Sequence, residues 1–199
     1  MSGIPPVNLF TGGQRGYLAG ALKQHVIGSN VDYGDILNIS DNVSNFDNMY
    51  HFAGPSDVYD FKDAARVVDV IVNGTINMIE LTKKHDAKFI FASTAGALQP
   101  DNIYCHCKLL MENYIKSVYN NYIILRIPRV YSKCRKKGLM RQIRENIIPA
   151  DDMNNVIEYI TLKEFVDQTK PILASTNITH EYDVTNKKSI QEIKQWIKK

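Results

Sequence analysis

Five short apolar runs, each set between turn-forming and helical sequence, constrain this chain most. They are "VNLFT" (7–11), "VIGSN" (26–30), "NMYHFAG" (48–54), "KFIFAS" (88–93) and "NYIILRI" (121–127). Continuous apolar runs of this length suit strands covered on both faces. Between them lie stretches with helical spacing: 16–25, a long region over 57–85, and 102–119. The long region carries Val67, Val70, Ile71, Ile76, Ile79 and Leu81 on its apolar side. Strands alternating with helices predict an α/β fold, a Rossmann-like doubly wound parallel sheet.

Composition narrows the classes. With 199 residues and 44% hydrophobic content, the chain can build one compact core. A net charge of +3 gives no case for a nucleic-acid partner. Three cysteines without a signal-peptide pattern point to a reducing, cytoplasmic setting. No apolar run reaches the length of a membrane span.

The stretch "IYCHCK" (103–108) invites a metal reading, which the expected helix argues against. Consecutive helical residues point about 100° apart, so Cys105, His106 and Cys107 diverge. No CxxC-type partner lies elsewhere, and no metal is expected. The ends of the stretch differ: Tyr104 and Lys108 stand at i and i+4 and share a face. A cation beside a phenol favours the phenolate, which suits proton transfer. The ordinary alternative is a surface lysine beside a half-buried ring.

After the first run comes "FTGGQRGYLAGAL", where Gly13-x-x-Gly16-x-x-Ala19 opens the first helix. Glycines at such a turn let the backbone approach a pyrophosphate, and the helix N-terminus supplies N–H donors.

Several segments in order carry a resemblance. "TGGQRGYLA", "NMYHFAGPSDV", "VNGTINMIEL", "FIFASTAGAL", "YCHCKLLMENY" and "ILRIPRVYS" resemble the successive motifs of the extended short-chain dehydrogenase/reductases, the NAD(P)-dependent nucleotide-sugar epimerase, dehydratase and reductase type. The match runs over about 7–132, and the tail resembles the family's end, with a strand and helix and then a final S-x-x-E helix. The resemblance implies a Rossmann domain over 1–132 and a reduced substrate-binding region over 133–199. It implies NAD or NADP as cofactor and a nucleotide-sugar as substrate. Ser93 or Thr94 would hold the substrate oxygen, Tyr104 would exchange its proton, and Lys108 would lower the tyrosine pKa and hold the nicotinamide ribose. Cofactor contacts would come from Gly13, Arg15, Gly16, Tyr17, Leu18, Asn30, Asp32, Phe52, Ala53, Gly54, Asn73, Lys108, Ile127 and Pro128. Substrate contacts would come from Arg129, Arg135, Lys136 and Lys137.

The chain also departs from that pattern. About twenty residues separate the first helix from "NMYHFAG", so the second strand and its following helix look trimmed. Ser29, Asn30 and Asp32 are the candidates to grip the adenosine ribose. Arg15 is either a partner for a 2′-phosphate or an exposed loop residue, so NAD and NADP stay open. Ser93 and Tyr104 are eleven positions apart, which leaves little loop to cover a sugar. The pocket is then open or completed by a second subunit in a homodimer. Lys133, Arg135, Lys136, Lys137 and Arg141 form a cation cluster, either a solvated loop or a clamp for a diphosphate. "STAGAL" has no Asp-Glu pair, which argues against dehydration. An epimerase or reductase is expected; a non-catalytic NAD(P)-binding sensor of the same fold is the alternative.

Overall fold

The structure is a computed structural model that describes residues 4–12, 16–40, 43–55, 60–132 and 135–198. Its main sheet is parallel throughout, in the order β2-β1-β3-β4-β5-β8. The strands are β1 (Val7–Thr11), β2 (Ser29–Tyr33), β3 (Asn48–His51), β4 (Lys88–Thr94), β5 (Tyr122–Ile127) and β8 (Ile178–Glu181). The chain reverses direction of growth between β1 and β3, where an open α/β sheet binds its ligands. The expected doubly wound sheet is therefore present.

Alternation along β4 builds both cores. Phe89 and Phe91 face one side, while Ile90 and Ala92 face the other. On the first side lie α2 (Ala64–Val68), α3 (Gly74–Lys84) and α4 (Ile103–Val118), which contribute Val67, Met78, Ile79, Met111 and Ile115. On the other side lie α1 (Tyr17–Lys23) and α6 (Leu162–Ile172), with Ala19, Leu22, Phe165 and Val166. Of the long helical region expected over 57–85, residues 57–59 lie outside the described residues, Asp60–Lys62 form a separate 3-10 turn, and the continuous part from α2 to α3 is uneven, since Asp69–Asn73 form a π-helical segment.

Two expectations about the second strand need correction. The strand runs over Ser29–Tyr33, not 26–30. Ile27 is exposed, and Gly28 has φ +120°, so the chain is still turning there. The second strand is also not trimmed: it pairs with β1 over all five residues and forms the sheet's edge. Among the described residues no helix follows it before β3. The crossover over 34–47 packs Ile36 and Phe46 into the core in place of a helix. Asn77 of α3 pins this crossover, donating to the carbonyls of Ile36 (3.0 Å) and Leu37 (3.3 Å).

The C-terminal third supplies the sixth sheet strand and a small second sheet. The latter joins β6 (Val130–Tyr131) and β9 (Asn186–Ser189) to either side of β7 (Val156–Thr161). A third core gathers Tyr131, Met140, Ile143, Tyr159, Ile190 and Ile193 between this sheet, α5 (Leu139–Arg144) and α7 (Ile190–Lys198). The S-x-x-E signal is realised at the start of α7: Ser189 N–H donates to Glu192 Oε2 at 2.7 Å, and Glu192 N–H donates back to Ser189 Oγ at 3.2 Å.

Candidate active site

The C-terminal ends of β1, β3 and β4 meet at one place, and a buried polar chain ties the first two to α3. His51 is fully buried, with Nδ1 2.7 Å from Thr11 Oγ1 and Nε2 3.0 Å from Thr75 Oγ1. Burial, and secondarily the Lys108 charge, push the His51 pKa down to about 3, so the ring is neutral. Thr11 Oγ1 also accepts from Ala53 N–H at 3.2 Å. The strand-three loop is thereby fixed against the first turn.

That turn needs glycine for a reason other than the spacing that first drew attention. Gly12 adopts φ +72°, and a Cβ on it would stand 2.9 Å from Ala53 N. A Cβ on Gly16 would stand 1.9 Å from the Gly12 carbonyl oxygen. Gly16 is the N-cap of α1. Gly12 was not among the residues singled out in the sequence, although it directly follows Thr11 at the strand end. Gly13 and Arg15 lie outside the described residues.

Tyr104 and Lys108 do share one face of α4, whose Asn102 caps it by accepting from Cys105 N–H at 3.0 Å. Lys108 is 3% exposed. Its Nζ donates to the Ala92 carbonyl at 2.6 Å, lies 4.4 Å from the Phe91 ring centroid and 5.8 Å from that of Tyr104. A Cβ on Gly54 would come 4.0 Å from the same Nζ, so the loop after β3 lies close to this ammonium. Burial lowers the Lys108 pKa to about 7, against the opposing charges of Glu112 and Cys107. The Tyr104 ring is half-buried and stacks on Phe61 at 4.7 Å. Burial, with Cys105 acting the same way, pushes its phenol well above the ordinary tyrosine value, and the opposing cation is Arg135. The expected lowering of Tyr104 by Lys108 is thus not the resting condition: the phenol is protonated.

Ser93 and Thr94 separate. Ser93 is buried, and its Oγ donates to Glu112 Oε1 at 2.5 Å. Thr94, at the strand end, is half-buried and accepts from Gly96 N–H at 3.3 Å. The neighbouring cysteines also diverge: Cys107 joins the sheet core, Cys105 Sγ packs against Gly96, and His106 is exposed.

Other candidates are arranged as follows. Asn30 is spent on structure, accepting from Asn8 Nδ2 (2.9 Å) and donating to the Lys23 carbonyl (3.1 Å). Asp32 pairs with Lys23 at 2.8 Å through Oδ2, while its buried Oδ1 has no hydrogen-bond partner. Tyr17 lies under the Arg135 guanidinium at 5.6 Å, and Leu18 packs in the core beneath. Phe52 meets Phe165 edge-on at 6.3 Å. Asn73 is exposed and, among the described residues, its side chain bonds Asp69 of its own helix at 2.8 Å. Ile127 is buried and Pro128 half-buried at the end of β5. Arg135 donates to the Val130 carbonyl at 3.2 Å, whereas Arg129, Lys136 and Lys137 are exposed. An open hollow of about 290 Å³ lies apart, lined by Leu139, Ile147, Ile148, Pro149 and Ile157 among others.

A parallel sheet with this strand order, a tight glycine turn after its first strand and a Tyr–Lys pair beside its switch point define a Rossmann-type dinucleotide-binding protein. The profile of the NAD dependent epimerase/dehydratase family matches residues 14–167, and the chain belongs to that family of enzymes. No curated protein sequence matches it significantly. Among solved structures it resembles dTDP-4-dehydrorhamnose reductase of Bacillus anthracis in complex with NADP (TM-score 0.79, 17% identity, 99% of this chain and 81% of the other). It also resembles dTDP-glucose 4,6-dehydratase of Streptomyces venezuelae with NAD bound (0.78, 16%, 96% and 79%). A third is UDP-glucose 4-epimerase of Thermotoga maritima with UDP-glucose (0.75, 17%, 96% and 81%). At these identities the likeness is one of fold. Among the described residues no helix is long and apolar enough to cross a membrane.

Proposed function

We propose that the chain is an NAD(P)-dependent enzyme that reduces or epimerises a nucleotide-sugar at a Thr94–Tyr104–Lys108 site. The observation that carries this reading is the convergence of Lys108 Nζ, the Tyr104 ring and the Gly54 backbone at the ends of β3 and β4. The residues present fit a dinucleotide. Gly12 and Gly16 leave no side chain over the turn, and Asp32 Oδ1 is an acceptor awaiting a donor such as a ribose hydroxyl. Lys23 beside Asp32 keeps a 2′-phosphate electrostatically tolerable.

When bound, the nicotinamide supplies or accepts the hydride. The chain's own residues handle the proton. Tyr104 rests as a neutral phenol, so it begins as an acid and donates to a substrate carbonyl oxygen that becomes the alcohol. The phenolate left behind lies beside the Lys108 ammonium, which stabilises it. Thr94, rather than the already engaged Ser93, has a hydroxyl available at the strand end to orient that oxygen. Residues 133–199 serve as the substrate region, with Arg129, Arg135, Lys136 and Lys137 as candidates for a diphosphate.

The test is turnover of a nucleotide-sugar panel, followed by cofactor absorbance and product chromatography. Tyr104→Phe should lower turnover by about 10²–10⁴-fold while NAD(P)H affinity stays nearly constant. Equal turnover in wild type and Tyr104→Phe would refute the assignment. Tight cofactor binding with no reacting panel member would favour a non-catalytic sensor.

A further inference from the structure

Tyr104 stands at an unsupported place for a residue proposed to move a proton. It is the second residue of α4, and Asn102, two positions before it, is already extended backbone. A helical side chain leans back over the turn that precedes its own Cα. For Tyr104 that turn does not exist, so the support for its ring comes from outside the helix. Phe61 stacks on the ring nearly parallel, with centroids 4.7 Å apart and planes inclined by 12°.

Two features of the chain deliver Phe61 to that point. It lies in the 3-10 turn Asp60–Lys62 just before α2, and Asp63 caps α2 by accepting from Arg66 N–H at 3.0 Å. The buried residues Val67, Ile71, Thr75 and Ile79 then recur at every fourth position. In an ideal α-helix each such step turns the face by about 40°. The π-helical segment Asp69–Asn73 has a wider turn and takes up that drift. α2 therefore lies against α4 while α3 lies against β3 and β4, and the start of α2 reaches Tyr104.

Any apolar side chain could fill the space that Phe61 occupies. A flat ring does more, because it meets the phenol along a whole face, and a tilt of that face swings the hydroxyl at its far end. Resting on the functional reading above, we infer that Phe61 is a positioning residue of this site: its ring holds the plane of Tyr104 and so aims the phenol hydroxyl at the substrate oxygen. Phe61 acts through Tyr104 alone. The Lys108 ammonium, 5.8 Å from the Tyr104 centroid, is the charged neighbour of the same ring.

The experiment compares Phe61→Leu and Phe61→Tyr with wild type. Leucine keeps apolar bulk without a flat face; tyrosine keeps the face. In cofactor-free protein with labelled tyrosine rings, the Tyr104 NMR signals, identified by Tyr104→Phe, should lose their ring-current displacement in Phe61→Leu and keep it in Phe61→Tyr. With the nucleotide-sugar that the panel selects, Phe61→Leu should lower kcat roughly 10–100-fold with KM and NADH affinity nearly constant, the pattern of a misplaced reacting group. Phe61→Tyr should restore kcat. A residue that only packed α2 on α4 would lower the unfolding temperature and leave kcat of the folded protein in place. Unmoved Tyr104 signals or an unchanged kcat in folded Phe61→Leu overturns the inference, as does an equal loss of kcat in both variants. Phe61→Met carries the same comparison should the leucine variant not fold. Failure of wild type to convert any panel member overturns the functional reading and this inference with it, whereas conversion by wild type with an indifferent Phe61→Leu overturns the inference alone.

Discussion

The first turn depends on a missing methyl group. Replacing Gly16 with alanine places a Cβ 1.9 Å from the Gly12 carbonyl oxygen, so one of the two must move by more than 1 Å. Gly12 has little room to yield. Its φ of +72° is already a glycine conformation, and even a Cβ on it would stand 2.9 Å from the nitrogen of Ala53, whose N–H is tied to Thr11 and through it to His51. Forced overpacking of this kind typically costs about 1–3 kcal/mol. For a chain of this size each kcal/mol lowers Tm by about 2–4 °C, giving a loss of roughly 3–10 °C. The displaced carbonyl also disturbs the turn proposed to receive the cofactor, so NADH affinity should fall at least tenfold. Thermal unfolding followed by circular dichroism and calorimetric titration with NADH measure both. Gly34→Ala is the control, because a Cβ there meets nothing within 4 Å. If Gly16→Ala unfolds within 1 °C of wild type and binds NADH equally well, the tight-turn argument is wrong.

Two further outcomes follow from other parts of the site. The native His51 pKa of about 3 lies below the ordinary 6.5, so the unfolded chain takes up a proton that the native chain refuses, and stability falls as pH drops from about 6.5 toward 3. By pH 4.5 the loss from this group is on the order of 2–3 kcal/mol, and urea unfolding of His51→Gln should show a shallower acid dependence than wild type. In the cation cluster, Lys136→Ala with Lys137→Ala should weaken nucleoside diphosphate binding several-fold at low salt and hardly at 0.5 M salt, since both side chains are exposed. Arg135→Ala should weaken it at either salt concentration, because it also removes the stack over Tyr17; calorimetry at two ionic strengths separates them.

The central strands were legible because they are buried on both faces and therefore apolar throughout. Phe89, Ile90 and Phe91 admit no other reading. The edge strand was not: "SNVDY" has a water-facing side and carries Asn30 and Asp32, whereas the more apolar Val26 and Ile27 fall in the turn before it. The i,i+4 rule placed Tyr104 and Lys108 on one face of α4. It could not show that the ammonium would turn to the Ala92 carbonyl, or that burial would outweigh charge at the phenol. Ser93 and Thr94 were indistinguishable by type; strand alternation sends the first toward Glu112 on α4. Asn73 and Asn77 stand about one turn apart along the helix, and it is Asn77 that lies level with the carbonyls of Ile36 and Leu37. Gly12 was legible in principle, as a glycine at the strand exit, but a positive φ leaves no mark on spacing.

The outer strand has a consequence for colloidal behaviour. Because β2 has no outer strand neighbour among the described residues, one row of its main-chain N–H and C=O groups faces outward, a ready template for another extended chain. The strand is short, and Asp32 with Lys23 places charge beside it, both of which discourage such pairing. Val31, 46% exposed, and Ile27, 82% exposed, work the other way. The crossover without a helix thus leaves an adhesive flank along β2, and concentration-dependent self-association of this protein should involve that edge.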